Sequence, residues 1–545
     1  MKEVSKGAWN VGKMLMFFLS CAASLAVAQE NPAIKQAAYL LETDQPTKAV
    51  AALQAAVSAS PQDASLLYYL GHAQIKNNEK AKAEINFQKG TELDPKNGLN
   101  FAGKGQLRML DNQAAEAKLA FDEALKISKS KDDAVLKAVA EGYLLGDKLA
   151  KDALLVLEKV KGKDVEAAVL KGDAYLKLND GGKSVSSYED GASYDAKRGL
   201  PHYKVGLVYL RSKNYDVAEQ NFKKALEVDP KYTLAYRELG ELYYQSRRAP
   251  EAVKAYEGYL GLTEKPEAAK LRYAFYLFMA KDYKRANPIF EELSKRPDAT
   301  ATVFKYKAYS LVESGDLAAS HPAFDAYFAK ATKEEIQASD YEYIAKALLK
   351  EGNDSVAVEN YQKAFDLEKK EDYASQIADI QFKRKKYAEA AVAYKQLEAI
   401  KPKLSSPELY NYGRSYYFTD QFQQADSVFQ KLITLQPAMT LGYLWQARSI
   451  AAQDPETNGK IKGTAKPYFE KVIEVGLTRA DKSKNDLIEA YSYMGYYHFQ
   501  RNEIALSKGF WEKVLALDDK DVRATEILKA MNAPAPKQPK PSPRN

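Results

Sequence analysis

The residues that could carry chemistry are few and scattered. Four histidines, His72, His202, His321 and His498, stand far apart, and none belongs to an H-E-x-x-H pair or to a Cys/His cluster of metal-ligand spacing. No metal centre is expected. Gly181-Gly182-Lys183-Ser184 imitates the end of a phosphate-binding loop, in which backbone amides cradle the phosphates. The position five before Gly182 is Lys177 instead of glycine, and no strand pattern precedes it, so the segment reads as a turn between two helices. The carboxylates mostly stand beside lysines, as in KAKAE and QKAFDLEKKEDY, the pattern of solvated helix faces. With no nucleophile, base and orienting group spaced to act together, neither catalytic residues nor a cofactor are expected.

The elements that would position any site repeat one pattern. In Gly199 to Pro230, GLPHYKVGLVYLRSKNYDVAEQNFKKALEVDP, counting Gly199 as position 1 puts Gly206 at 8, Tyr209 at 11, Tyr215 at 17, Ala218 at 20, Phe222 at 24, Ala225 at 27 and Pro230 at 32. Val205, Gly206 and Tyr209 share one face of a first helix; Ala218, Phe222 and Ala225 form an i, i+4, i+7 stripe on a second. The small residues at 8 and 20 let the two helix axes approach closely, and the aromatic at 24 fills the space beside the next hairpin. Pro230 ends the second helix for want of an amide hydrogen. Such a hairpin cannot bury its apolar face alone and needs neighbours.

The pattern returns from Glu30 onward in fourteen units. Gly206, Gly240, Ala274 and Ala308 are 34 residues apart each time. The second unit carries Gly71, Ala83 and Phe87; the twelfth Gly413, Ala425 and Phe429; the fourteenth Gly495, Ser507 and Trp511. The fourth, with Ala140, Tyr143, Ala153 and Leu157, needs one extra residue between its helices. The thirteenth is interrupted by DPETNGKIKGT, Asp454 to Thr464, which reads as a long surface loop. Slips of register near Lys295 to Ala301, Ala329 to Ser339 and Leu435 to Thr464 are the expected places for changes of curvature. This spacing resembles the tetratricopeptide repeat family, over about residues 30 to 532. The resemblance implies an all-α solenoid, a right-handed superhelix of about fourteen repeats whose first helices line a concave groove, with nearly two turns in all. A final amphipathic helix, 521–531, closes the array, which as a whole takes up residues 29–532.

Residues 1–28 read as a secretory signal: Lys2, Lys6 and Lys13 precede the apolar run Met14 to Ala28, and Ala26-Val27-Ala28 offers a cleavage site before Gln29. Export is expected, to the periplasm of a bacterium. Ser20-Cys21 offers the competing reading of a lipoprotein anchored through Cys21, the one cysteine of the chain. Cleavage after Ala28 would leave no thiol and no disulfide. In a eukaryotic secreted chain, Asn353-Asp354-Ser355 would be a glycosylation site. The tail 533–545, APAPKQPKPSPRN, is expected to be disordered. Of the formal net charge of +7, the leader supplies +2 and the tail +3, which leaves +2 over the repeats. A nucleic-acid surface is therefore not expected.

If the family geometry holds, positions 2, 5, 9 and 12 of each first helix face the groove. The candidate binding residues read off in this way are Tyr68, Tyr203, Arg237, Tyr244, Phe275, Tyr309, Tyr410, Arg414, Tyr417, Arg448 and Tyr496. Aromatic rings with scattered arginines suit peptide recognition, since rings contribute buried area at small rotamer cost and arginine directs hydrogen bonds. A ring at these positions can equally seal one repeat against the next. The repeats that clamp chaperone C-termini use Lys and Asn in three consecutive first helices; no Asn occupies position 9 in the repeats read here, which speaks against that ligand. The expectation is a non-enzymatic scaffold of the bacterial cell envelope, in a membrane-associated complex or free of one, that holds protein or peptide partners. The alternative is an accessory that binds carbohydrate or peptidoglycan and positions a separate enzyme.

Overall fold

The computed structural model describes residues 31–457 and 460–533. The leader with Cys21, and the tail beyond Ala533, lie outside the described residues. Among those described, 29 helices follow one another as fourteen successive pairs and one closing helix, Val522–Asn532. Two compact units divide the chain, Met1–Gly315 and Asp316–Asn545. The division falls in the sequence of the ninth repeat, between the helices Ala301–Ser314 and Leu317–Lys330, and not at any of the three slips of register.

Within the units, hairpins close as their small residues require. In the sixth repeat the helices are Gly199–Arg211 and Tyr215–Val228, and a Cβ added at Gly206 would fall 2.5 Å from Phe222 Cε1. Phe87 is enclosed in the same way by Gly71 of its own repeat and Gly103 of the next, where added Cβ atoms would lie 2.4 and 2.5 Å from the ring. The aromatic at position 24 thus fills the gap between successive first helices, and only hydrogen at these glycines leaves it room. Several early first helices begin on side-chain caps: the Asp63, Asn97 and Asp132 carboxylate or amide oxygens accept from the amides of the first turn. Most of the turns between paired helices use one left-handed residue, Asn78, Asn112 and Asn179 in early repeats but Lys213, Arg247 and Lys281 later.

Three local expectations change. Asp454 to Thr464 contains a short antiparallel pair, Glu456–Thr457 with Lys460–Ile461, in place of a bare loop. Asp454 Oδ2 accepts from the amides of Gly463 (2.7 Å) and Thr464 (3.0 Å), and Ile461 N donates to Gln500 Oε1 at 2.9 Å, so the insertion is tied to the fourteenth repeat. Gly181 to Ser184 is the first turn of a helix capped by Asp180, not the turn before it. Nor are the carboxylates all solvated: Glu42, Glu141, Glu166, Asp173 and Asp340 are buried, because partners from other repeats reach them.

Candidate functional site

The first unit uses many of its inward positions on itself. His72, at position 9 of the second repeat, lies 3.1 Å from Glu141 at position 9 of the fourth, and Lys76 Nζ approaches the same carboxylate at 2.9 Å. In the fifth repeat Asp173 Oδ1 accepts from Tyr188 Oη at 2.6 Å and from Lys204 Nζ at 2.9 Å. Burial pushes the Asp173 carboxyl up, and Lys204 opposes it. Lys137 Nζ is 2.7 Å from Asp164. Arg198 bridges Glu166, at 3.0 Å, and Glu42 of the first hairpin. Burial pushes the Glu42 carboxyl up to about 7 against the pull of Arg198.

The first hairpin, Pro32–Glu42 and Pro46–Ala59, reaches much further along the chain than its neighbours. Tyr39 Oη donates to Asp229 at 3.3 Å, and Asp44 lies 3.7 Å from Arg237. Glu264 accepts from the Thr47 and Lys48 amides at 3.0 and 3.3 Å, capping the second helix from more than two hundred residues away. Within this unit most of the expected groove residues are buried or paired. Tyr68, Tyr203, Phe275 and Tyr309 are buried, and Tyr203 packs on Tyr232 at 5.3 Å. Arg237 is engaged by Glu238 at 2.8 Å as well as by Asp44. Tyr244 is half-buried, its ring 5.3 Å from Phe275.

In the second unit the same positions are more open. Tyr410, Arg414 and Tyr417 are half-buried on one helix, Ser406–Tyr417, and Arg448 is half-buried on the first helix of the next repeat, Thr440–Ala452. The capping box of Ser405 and Glu408 starts the former helix, and Pro407 stands in its first turn. The guanidinium of Arg414 lies 5.2 Å from the ring centre of Phe382, 5.0 Å from Tyr410, 5.4 Å from Phe418 and 5.2 Å from Trp445. Three successive first helices thus supply the rings, with Phe418 at the end of the middle one. Arg448 stacks on Trp445 at 4.4 Å and is held by both oxygens of Glu489, at 2.7 and 2.5 Å. Tyr496, on the helix Lys484–Gln500, is 47% exposed and accepts from Gln500 Nε2 at 2.6 Å. The structure thus brings together Tyr410, Arg414, Tyr417 and Arg448.

Sequence reasoning missed the rest of this cluster for two different reasons. Phe382 stands at position 12 of the eleventh repeat and Glu489 at position 2 of the fourteenth, so the same positional rule finds both once every repeat is read. Trp445 and Phe418 stand at positions 6 and 13, and only the packing of successive helices turns them toward Arg414. Among the described residues no group of three or more His, Cys, Asp or Glu is placed to hold a metal ion, and no helix is long and apolar enough to cross a membrane.

Models of the tetratricopeptide repeat match residues 34–98 and 203–269, and a second such model matches 409–439, the segment that holds Tyr410, Arg414 and Tyr417. The chain is 28% identical over 123 residues to anaphase-promoting complex subunit 6 of Arabidopsis thaliana, covering 21% of this chain and 23% of that protein. It is 24% identical over 157 residues to subunit 3 of the same complex in Schizosaccharomyces pombe, covering 28% and 24%. It therefore spans about a quarter of the length of these relatives. Among solved structures, the C-terminal part of a TPR repeat-containing protein from Cytophaga hutchinsonii is 32% identical, over 47% of this chain and 98% of that one, with a TM-score of 0.36.

Proposed function

The chain belongs to the tetratricopeptide repeat family, and we propose that it is a non-enzymatic scaffold of the bacterial cell envelope, holding partner proteins or peptides on the inner face of its second unit. Family members generally mediate protein–protein interactions, and the two curated relatives are named as subunits of one multisubunit complex. The observation that carries the reading is the contrast between the units. Of the expected binding residues in the first, Tyr68, Tyr203, Phe275 and Tyr309 are buried and Arg237 is paired, leaving Tyr244 half-buried, whereas Tyr410, Arg414 and Tyr417 all keep exposed surface around an aromatic cluster. Rings that are already ordered by their neighbours lose little entropy on binding, which favours such a cluster as an anchor point. The leader read in residues 1–28 supports export to the envelope, as a free periplasmic protein or through a lipidated Cys21.

Affinity capture from envelope extracts tests this, with wild-type protein beside a variant in which Tyr410, Arg414 and Tyr417 are all alanine. Specific partners are expected to be retained by the first and lost from the second; an unchanged set of partners would move the binding surface elsewhere. Retention of purified peptidoglycan by the wild type, abolished in Tyr496→Ala, would instead favour a glycan-binding accessory, since exposed tyrosine rings can also stack on sugars.

A further inference from the structure

Arg414 differs from the other arginines of its neighbourhood in having rings for company and no acid. Arg448, which also lies against Trp445, is neutralised by Glu489. The Arg414 Nε is buried with no hydrogen-bond acceptor, and no carboxylate among the described residues pairs with its guanidinium. Four ring faces or edges at 5.0 to 5.4 Å hold the group in place. Aromatic quadrupoles attract a cation, but they accept no in-plane hydrogen bonds from it and leave its charge uncompensated. A carboxylate supplies both what is missing: acceptor oxygens matched to the guanidinium fork, and a negative charge.

Resting on the reading that this face binds proteins, we propose that Arg414 receives the side-chain carboxylate of an Asp or Glu in an acidic peptide segment. The apolar neighbours of that residue then lie on Phe418, Tyr410 and Tyr417. The charge argument favours an acidic ligand over a basic or neutral one, because a second cation near the unpaired Arg414 would be repelled. A side-chain carboxylate fits better than a chain terminus. A terminal carboxylate needs several donors converging on it, whereas here one free guanidinium stands on an aromatic floor that continues across three repeats. Burying the ion pair among rings strengthens it relative to water, and the fixed guanidinium gives it direction.

Selection of random dodecapeptides, displayed with both ends blocked, against the full chain and against Arg414→Gln gives the test. Binders selected by the wild type are expected to be enriched in Asp or Glu beside an aromatic or large aliphatic residue, and the enrichment is expected to vanish with Arg414→Gln. For one selected peptide, changing the acid to its amide should weaken binding to wild type about tenfold or more, and change binding to Arg414→Gln hardly at all. Arg414→Lys, which keeps the charge without the planar fork, should fall between the two. Thermal melts of both variants guard against loss of fold. Acid-free binders, an acid preference that survives Arg414→Gln, or no selectable binder would each overturn the proposal. So would peptides that bind only through an unblocked C-terminus. Acid-free binders that still depend on Tyr410 and Tyr417 would leave the protein-binding reading standing and remove this one alone.

Discussion

Glu141 shows how far a single side chain here departs from its sequence neighbourhood. Burial would push its carboxyl up, yet His72 and Lys76 outweigh that and hold it down at about 2, below the ordinary 4.5. Because the folded-state value lies below the unfolded one, its stabilising contribution is complete above about pH 4.5 and is lost as the pH falls toward 2. Glu141→Gln should therefore lower stability by roughly 3 kcal/mol near pH 6, with the gap closing between pH 4.5 and 2. Urea midpoints of both proteins across that range check this, and a gap that ignored pH would show the carboxylate to be unpaired. No reading of residues 133–145 in isolation could have found this pair. Glu141 stands at position 9 of its repeat, where His72 stands in the repeat two before, and a charge at that position can face either solvent or a partner. The curvature that decides between them arises from the packing of intervening helices.

At the scale of the helix and hairpin, small residues have opposite meanings in different places. Gly206→Ala would force a methyl group into the Phe222 ring, so the helix-propensity gain of about 1 kcal/mol is outweighed by overpacking of about 1–3 kcal/mol. Gly509 lies inside the helix Ile504–Leu517 with nothing within 4 Å of an added Cβ, so Gly509→Ala should stabilise by about 0.5–1 kcal/mol. Thermal or urea denaturation of the two variants should shift in opposite directions; shifts of the same sign would remove the close-packing account. The first hairpin is an element held by electrostatics at its tip. Glu264→Ala removes the acceptor of the Thr47 and Lys48 amides, a cap worth about 1 kcal/mol, and should speed hydrogen exchange in the first turn of Pro46–Ala59 while leaving distant repeats protected. Glu42 adds a pH dependence of the other sign from Glu141. Its folded-state value of about 7 lies above the ordinary 4.5, so its protonated form favours the folded chain, and the stability it contributes falls as pH rises from about 4.5 through 7. Exchange in residues 32–59, corrected for its intrinsic rate, should accordingly quicken over that window in wild type and less so in Glu42→Gln.

For the whole chain, the signal expected in residues 1–28 and the repeat array make separate predictions. Mass analysis of the protein isolated from its native host is expected to find Gln29 at the N-terminus, whereas a diacylated or triacylated Cys21 would identify a lipoprotein and an intact Met1 would refute export by this signal. Within the array, the helices, their order and their lengths were legible before any coordinates, since the pairing of small residues at 8 and 20 with an aromatic at 24 is a local property of most repeats, and the spacing of 34 needs only neighbouring ones. The aromatic and charged residues at positions 2, 5, 9 and 12 of the first helices were legible too. Which of those side chains stay accessible was not. Tyr68 and Tyr410 occupy the same position of their repeats, yet Tyr68 is completely buried and Tyr410 is not, and nothing within either helix separates them. Periodicity determines which face of each helix turns inward because that depends on residues a few positions apart. Whether the inward face meets solvent, a neighbouring repeat or the chain's own first hairpin depends on contacts across dozens to hundreds of residues, and these exist only once the hairpins have stacked.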